Sequence, residues 1–288
     1  MFPIVNKQIL AHDIKRIAVS AELIARKAKP GQFVMVVTEE GGEWIPLSIV
    51  ETDPARGQIT LIIQEIGPAT RLLGGLPING EIPSIIGPLG RPVPIQKKGL
   101  VICAASGIGT AQLLPVCRAL KEAGNKVIGV IGARTKKQLV LEAQMRIACQ
   151  KIFIATKDGS YERRGMASEL VKELLDKEKI QQIYTVGPAD MMKNIVQMAG
   201  ARAVPVGVLL NPVMLCGNGI CGSCRVKVNN ETVLACRQGP YFSGDQVDFD
   251  DLKVRMSAYK STTESSSDDG EATDAAPVSR LWSELFGR

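Results

Sequence analysis

Histidine is nearly missing from this chain: His12 is the only one in 288 residues. Histidine ligation of a metal is therefore not expected. Aromatic residues make up only 4% of the sequence, and the bases are scattered among many acids, so an aromatic-studded basic face for nucleic acid is not expected either. No apolar run approaches the roughly 18 residues that a membrane helix needs. Lys7, His12, Asp13, Lys15 and Arg16 interrupt the first apolar stretches, which leaves nothing resembling a leader peptide. The expectation is a soluble, cytoplasmic protein. What is present is a hydrophobic content of 45%, with 28 Gly and 16 Pro, enough for two compact domains with many turns and a small appendage.

Charge is uneven. Residues 261–288 hold six acids and two bases, a net of −4, and taking this from the overall +6 leaves +10 on residues 1–260. Anionic cofactors or an acidic protein partner suit that excess. The seven cysteines are uneven too. Cys216, Cys221, Cys224 and Cys236 crowd into 21 residues, whereas Cys103, Cys117 and Cys149 lie singly in apolar surroundings. A dense cluster in such a chain reads as metal or redox chemistry, and the three single residues read as small buried hydrophobes.

The organisation is α/β plus all-β. Residues 1–96 read as a small β-barrel or sandwich, with strands near Gln32–Val37, Ile45–Val50 and Gln58–Ile63 and with Pro and Gly excluding helix between Pro77 and about residue 98. Residues 97–210 alternate short apolar runs with helical periodicity, which predicts a parallel sheet covered by helices on both faces. In that domain, helices are expected over Gln112–Glu122, Lys136–Ala148, Ala167–Lys177 and Ala189–Met198. Residues 211–260 form the cysteine appendage, with Cys236 reached through strands Arg225–Val228 and Thr232–Ala235. Residues 261–288 read as an acidic linker followed, over 278–286, by a short amphipathic docking helix.

The appendage carries the strongest signal. Its spacing is Cys-x4-Cys-x2-Cys-x11-Cys, built on Cys216, Cys221, Cys224 and Cys236. Gly217, Gly219, Gly222 and Ser223 let the backbone close around a diiron core and aim N–H groups at its sulfurs. Plant-type [2Fe–2S] proteins begin with the same three-cysteine spacing, whereas zinc sites favour paired Cys-x2-Cys or Cys/His spacings. A second signal is Gly107-Ile108-Gly109-Thr110, which follows a strand and opens a helix. Its amides can face a pyrophosphate. Gly132-Ala133, Asp158-Gly159 and Gly187-Pro188 follow the later strands, where the ligand crevice of an open parallel sheet lies.

Several runs carry a family likeness. They are Lys29-Pro30-Gly31-Gln32-Phe33, Ile45-Pro46-Leu47-Ser48, Gly132-Ala133-Arg134 and Asp158-Gly159-Ser160-Tyr161. Gly187-Pro188-Ala189-Asp190-Met191-Met192, Leu210-Asn211-Pro212 and Gln246-Val247-Asp248-Phe249-Asp250 continue the series. With this domain order, the chain resembles the ferredoxin–NADP reductase superfamily over about residues 1–259. More narrowly, it resembles the electron-transfer subunits of dihydroorotate dehydrogenase and the small subunits of NADH-dependent reduced ferredoxin:NADP oxidoreductase, the sulfide dehydrogenase type.

The resemblance implies FAD on the barrel and NAD(H) on the α/β domain. Leu47 and Ser48 would line the flavin ring, with the Ser48 hydroxyl near N5. Ile62, Ile63 and Gln64 would flank the ribityl and adenine portions, and Ala69 with Thr70 would meet the pyrophosphate. For Leu47 and Ile63, ordinary barrel core is the competing reading. Gly107, Gly109, Thr110, Gly132, Ala133, Arg134, Asp158, Gly187 and Pro188 would serve NAD. Three departures from the family pattern stand out: Trp44 replaces an arginine, Ala105-Ser106 replaces glycine, and Cys216 stands where some relatives carry aspartate. The implied activity is electron transfer among NAD(H), FAD and the cluster, on to a larger flavin and iron–sulfur subunit docked by residues 278–286. Any electron bifurcation would occur in that partner, because this chain has no cysteines for further clusters. The alternative is a non-catalytic, cluster-bearing adaptor that has lost flavin or nucleotide.

Overall fold

The computed structural model describes residues 1–258. The expected linker and docking helix, 261–288, lie outside the described residues. The chain starts with β1 (Phe2–Ala11) and β2 (Ile14–Ser20), then α1 (Glu22–Lys27), β3 (Phe33–Val37), β4 (Ile45–Asp53) and β5 (Gln58–Gln64). After α2 (Pro68–Gly75) come β6 (Glu81–Ile82) and β7 (Ser84–Leu89). The seven strands form one antiparallel sheet in the order β6-β1-β2-β5-β4-β3-β7. Its two edges, β6 and β7, are separated in the chain only by Pro83, so the sheet curls into a nearly closed barrel. Ile4, Ile17, Val19, Val34, Val36, Ile59, Leu61 and Ile63 fill the interior. The region is thus less purely β than expected, since two short helices bridge strand ends. In α2 the start is set by Pro68, whose missing N–H costs nothing at a first helical position.

The second sheet also has seven strands, in the order β11-β10-β9-β8-β12-β13-β16. Its elements are β8 (Leu100–Ser106), α3 (Gly109–Glu122), β9 (Lys126–Ala133), α4 (Glu142–Ala148), β10 (Lys151–Thr156) and β11 (Arg163–Arg164). They continue with α5 (Ala167–Lys177), β12 (Gln182–Val186), α6 (Ala189–Gly200) and β13 (Val206–Leu209). All pairings from β11 to β13 are parallel. Leu113, Leu114, Cys117 and Met145 of α3 and α4 cover one face; Leu170, Val171, Leu174 and Ile195 of α5 and α6 cover the other. Strand order reverses between β8 and β12, and a crevice opens beyond their C-terminal ends.

The helix expected over Lys136–Ala148 is broken. Lys136–Gln138 make a single tight turn, Leu139 is extended, and Leu141 has φ 61°, a left-handed value no helix accepts. Val140 and Leu141 are thereby buried against α3 and β9, and the helix starts only at Glu142. Tertiary burial of two apolar side chains overrides the periodicity.

Beyond Leu209 the chain returns to the barrel before making the hairpin β14 (Arg225–Val228) and β15 (Glu231–Leu234) and the short helix α7 (Ala235–Gln238). Cys236 is thus reached through the two expected strands and sits on the helical turn just past them. The strand β16 (Tyr241–Ser243) then pairs antiparallel with β13. Finally α8 (Phe249–Ala258) packs on α6, pinned by Lys193–Asp250 at 2.7 Å and Lys253–Asp190 at 2.6 Å. Barrel and α/β sheet are joined at Glu51, whose carboxylate accepts from Arg16 on β2 and Arg118 on α3, each at 2.7 Å. Burial alone would raise the Glu51 pKa; the two guanidinium groups outweigh it and hold the carboxyl below its ordinary range. Among the described residues, no helix is long and apolar enough to cross a membrane.

Candidate functional site

A cleft of about 260 Å³ opens where the barrel, the start of α3 and the segment leading to the cysteines meet. Strand alternation explains which barrel residues reach it. On β4, Pro46, Ser48 and Val50 face the cleft, while Ile45 and Ile49 face the barrel interior. Leu47 is 8% exposed, belongs to the barrel core and still borders the cleft. On β5, Ile62 and Gln64 line the cleft, whereas Ile63 is fully buried inside the barrel. The Gln64 amide donates to Asp13 at 3.0 Å. Thr70 lines the far end of the cleft, its hydroxyl accepting from the Gly67 N–H at 3.0 Å. Ala69 does not border the cleft; it packs against the barrel core.

The β8–α3 turn forms the opposite wall. Gly109 borders the cleft, and Thr110 is fully buried behind it, its hydroxyl without a partner among the described residues. Gly107 adopts φ 57°, and a side chain there would meet open space, so its backbone faces the crevice uncovered. Ala105 points into the sheet core at 0% exposure, away from the turn. Ser106 occupies room left by two glycines: a Cβ on Gly187 would lie 3.3 Å from Ser106 Cβ, and one on Gly132 3.5 Å from Ser106 Oγ. Gly107 N–H also donates to Gly132 C=O at 2.9 Å, so the ends of β8, β9 and β12 meet here. Ala133 is buried at the same edge, while Arg134, Asp158 and Pro188 are exposed around it. Asp158 accepts from the Ser160 hydroxyl at 2.7 Å and from the Ser160 N–H at 3.0 Å, which holds its carboxyl below the ordinary range. Trp44 is not on the cleft; it is half-buried against the core shared by the α/β sheet and the cysteine segment.

The cysteine loop leans on the barrel beside this cleft. Asn211, Pro212 and Met214 line the cleft itself. Gly217, Gly219 and Gly222 have φ of 68°, 90° and 69°, values that an L side chain rarely tolerates. A methyl group on Gly217 would also run into Met35 and come within 2.9 Å of Leu89. The four thiols stand as two pairs. Cys221 N–H lies 3.5 Å from Cys216 Sγ, and the Cys236 thiol donates to Cys224. Burial alone would raise the Cys216 thiol; hydrogen bonds from Cys221 and from the Asn218 and Gly219 N–H groups prevail and hold it below its ordinary range. The bond from Cys236 brings Cys224 down to about 6, and donating it pushes Cys236 up. Among the described residues, no three Cys, His, Asp or Glu side chains are poised to hold a single metal ion. Two thiol pairs with backbone N–H groups aimed at sulfur are a donor set that would suit an iron–sulfur cluster, with Cys216, Cys221, Cys224 and Cys236 as the residues that would hold it.

Other cleft residues lay in the quoted runs without being singled out: Phe33 ends the Lys29–Phe33 run, Pro46 and Ile108 stand beside Leu47 and Gly109, and Asn211 and Pro212 lie in the Leu210–Pro212 run. Gln112 lay in none of them, since it reads only as part of a helix, and Met214 and Pro240 reach the cleft through loops.

Comparison with known proteins agrees with this geometry. Residues 211–248 match the iron-sulfur cluster binding domain of dihydroorotate dehydrogenase B. The chain is 36% identical over 257 residues to the Thermotoga maritima dihydroorotate dehydrogenase B (NAD(+)), electron transfer subunit homolog, covering 89% of this chain and 91% of that one. It is 35% identical over 235 residues to the dihydroorotate dehydrogenase B electron transfer subunit of Desulforamulus reducens, covering 78% and 88%. Among solved structures, one of NADH-dependent reduced ferredoxin-NADP oxidoreductase superposes with a TM-score of 0.86 at 34% identity, covering 91% of this chain and 94% of that one. An Amycolatopsis cytochrome P450 reductase, at 20% identity and a TM-score of 0.59, shares the fold. Cysteine loop, barrel cleft and parallel sheet, matched along nearly the whole chain, show that this protein belongs to the family of dihydroorotate dehydrogenase B electron transfer subunits.

Proposed function

We propose that the chain carries electrons between NAD(H), FAD and a [2Fe–2S] cluster and delivers them to a larger flavin and iron–sulfur partner subunit. The observation that carries this reading is the convergence of three regions on one cleft. Ring-sized apolar walls come from the barrel, Gly109 from the nucleotide turn, and Asn211 to Met214 from the segment leading into the cluster loop. A flavin bound there takes two electrons as hydride and releases them singly, which a nicotinamide and an iron–sulfur cluster cannot do for one another.

This chain's residues divide the work. Leu47 and Ser48 border the ring, Ile62 and Gln64 the linking chain, and Thr70 with the start of α2 the phosphates. The uncovered Gly107 backbone, with Gly132 and Gly187 beside it, takes the nicotinamide nucleotide. Cys216, Cys221, Cys224 and Cys236 hold the irons. We keep the division of the chain at 1–96 for flavin, 97–210 for nucleotide and 211–260 for the cluster. The names of the relatives, which cite NAD(+) and electron transfer, and the bifurcating oxidoreductase support the same assignment. Cysteines given to a cluster and to the core, with no disulfide among the described residues, accord with a cytoplasmic location, where thiols stay reduced. The adaptor alternative rests on Trp44, Ser106 and the tail; Ala105 drops out of it, because its side chain is buried in the sheet core away from the turn.

Anaerobic titration of the purified chain with NADH tests the proposal. Stoichiometric flavin and bleaching of both flavin and cluster bands are expected. A chain that purifies with iron but neither binds FAD nor responds to NADH would overturn it.

A further inference from the structure

Gln112 is a buried polar side chain with nothing to bind. It lies on α3, is 6% exposed and borders the cleft. Among the described residues its amide makes no hydrogen bond. Another buried amide shows what a structural role looks like. Asn125 accepts from the Lys98 and Gly99 N–H groups and donates to the Gln96 and Leu120 carbonyls, so every polar atom is used. The Gln112 amide is also not sealed in. Among the described residues, the two side-chain oxygens that are both sealed and unpaired are those of Thr110 and Thr185, so the polar end of Gln112 opens into the cleft. A buried amide without partners is unfavourable unless a ligand completes it.

The opposite wall offers little to pair with. Pro46, Val50, Ile62 and Ile66 are apolar, the Gln64 NH2 is engaged with Asp13 and the Thr70 hydroxyl with Gly67, which leaves, among the described residues, the Ser48 hydroxyl and the Gln64 side-chain carbonyl as the open polar groups of that wall. An amide has a carbonyl and an NH2 side by side, and it is completed by a ligand edge that alternates N–H and C=O. The pyrimidine edge of a flavin ring has that pattern. A nicotinamide carboxamide has it too, but the crevice residues Ser106, Gly107, Gly132 and Gly187 do not border this cleft, whereas the ring-lining Leu47 and Ser48 do. We propose that Gln112 is the α/β domain's hydrogen-bonding contact to the pyrimidine edge of the bound flavin. The barrel then holds the cofactor while α3 fixes the ring's orientation. This inference rests on the flavin reading above.

The test compares the iron-loaded, flavin-free chain with its Gln112→Leu variant, followed by thermal unfolding, FAD titration by fluorescence and the visible spectrum of the bound flavin. The expected result is a pair of opposite effects. Without flavin the variant unfolds no earlier than wild type, because an unpartnered amide has been replaced by an apolar group of similar size. With flavin it binds about tenfold more weakly, and its flavin bands shift. Gln112→Met repeats the measurement if the leucine variant fails to fold. Unchanged FAD affinity together with lower flavin-free stability would assign Gln112 to structure and overturn the inference. Unchanged FAD affinity with weaker NADH binding would assign it to the nucleotide and overturn it equally. A wild-type chain that takes up no FAD would overturn the flavin reading itself, a failure seen before any variant is made.

Discussion

Cys224 in the C-terminal loop is 1% exposed and Cys117 in the α/β core is 0% exposed, and each has another thiol in contact. Burial and crowding are thus common to both regions, yet their chemistry diverges. Around Cys224 the Cys236 thiol donates to the sulfur, and backbone N–H groups at the start of α7, of Cys236 and Ala235, add to it, so the thiolate is favoured. Cys117 sits between Cys103 and Cys149 on a helix packed against a sheet, and burial pushes its thiol well up. In regular elements nearly every N–H is already spent on a backbone carbonyl. A donating thiol together with backbone donors left over at the first turn of α7 favours the thiolate at Cys224, whereas at Cys117 burial outweighs what its neighbouring thiols offer.

Substituting a ligand separates the regions most sharply. Cys221→Ala is expected to remove the cluster bands and reduce iron from about two per chain to near zero. Cys117→Ala should leave both unchanged, and iron loss in that variant would erase the distinction. Next comes thiol labelling after chelation of iron under reductant. Iodoacetamide should modify the partly exposed Cys216 and Cys221 first, while Cys103, Cys117 and Cys149 wait for unfolding and react at least about a thousandfold more slowly. Peptide mass mapping over time checks this, and comparable rates would break the comparison.

Two glycine variants sharpen it further. A methyl on Gly129 would lie 2.9 Å from Cys149 Sγ and 3.1 Å from Ile152, so Gly129→Ala should cost about 1–3 kcal/mol of global stability with iron content intact. Gly222→Ala should show the reverse, a lower iron content at a nearly unchanged melting temperature, because its φ of 69° strains the loop alone and its methyl would meet only the Arg225 side chain, at 3.8 Å. The smallest effect expected is that of Cys117→Ala on denaturant unfolding, about 1 kcal/mol from a lost sulfur contact.

Much of this division was legible in residues. The Cys216–Cys236 spacing declared the loop, and the alternation from Leu100 to Met198 declared the parallel sheet, since fully buried strands and amphipathic helices leave strong periodic marks. The β1–β2 hairpin was not anticipated, because Lys7, Lys15 and Arg16 break its apolar runs; half-exposed strands carry such residues on their outer face. The start of α4 was hidden for a different reason: Leu141 takes a left-handed conformation that only its tertiary burial can explain. In the cleft, Leu47, Ser48 and Thr70 were indicated by family resemblance. Gln112 was silent, as an unremarkable helix residue becomes unusual only once its partners are counted.

The strand β16 has a consequence for how pieces of this protein would behave. It is supplied from beyond the cluster loop, yet it covers the free edge of β13. A fragment ended near Leu209 would keep its helices but bare a row of edge amides and carbonyls of the kind that recruits strands from other molecules. The nucleotide sheet is thus finished only when the chain has passed the iron site. An isolated nucleotide unit is expected to self-associate rather than stand alone, and excision of the metal segment would be felt first as lost solubility.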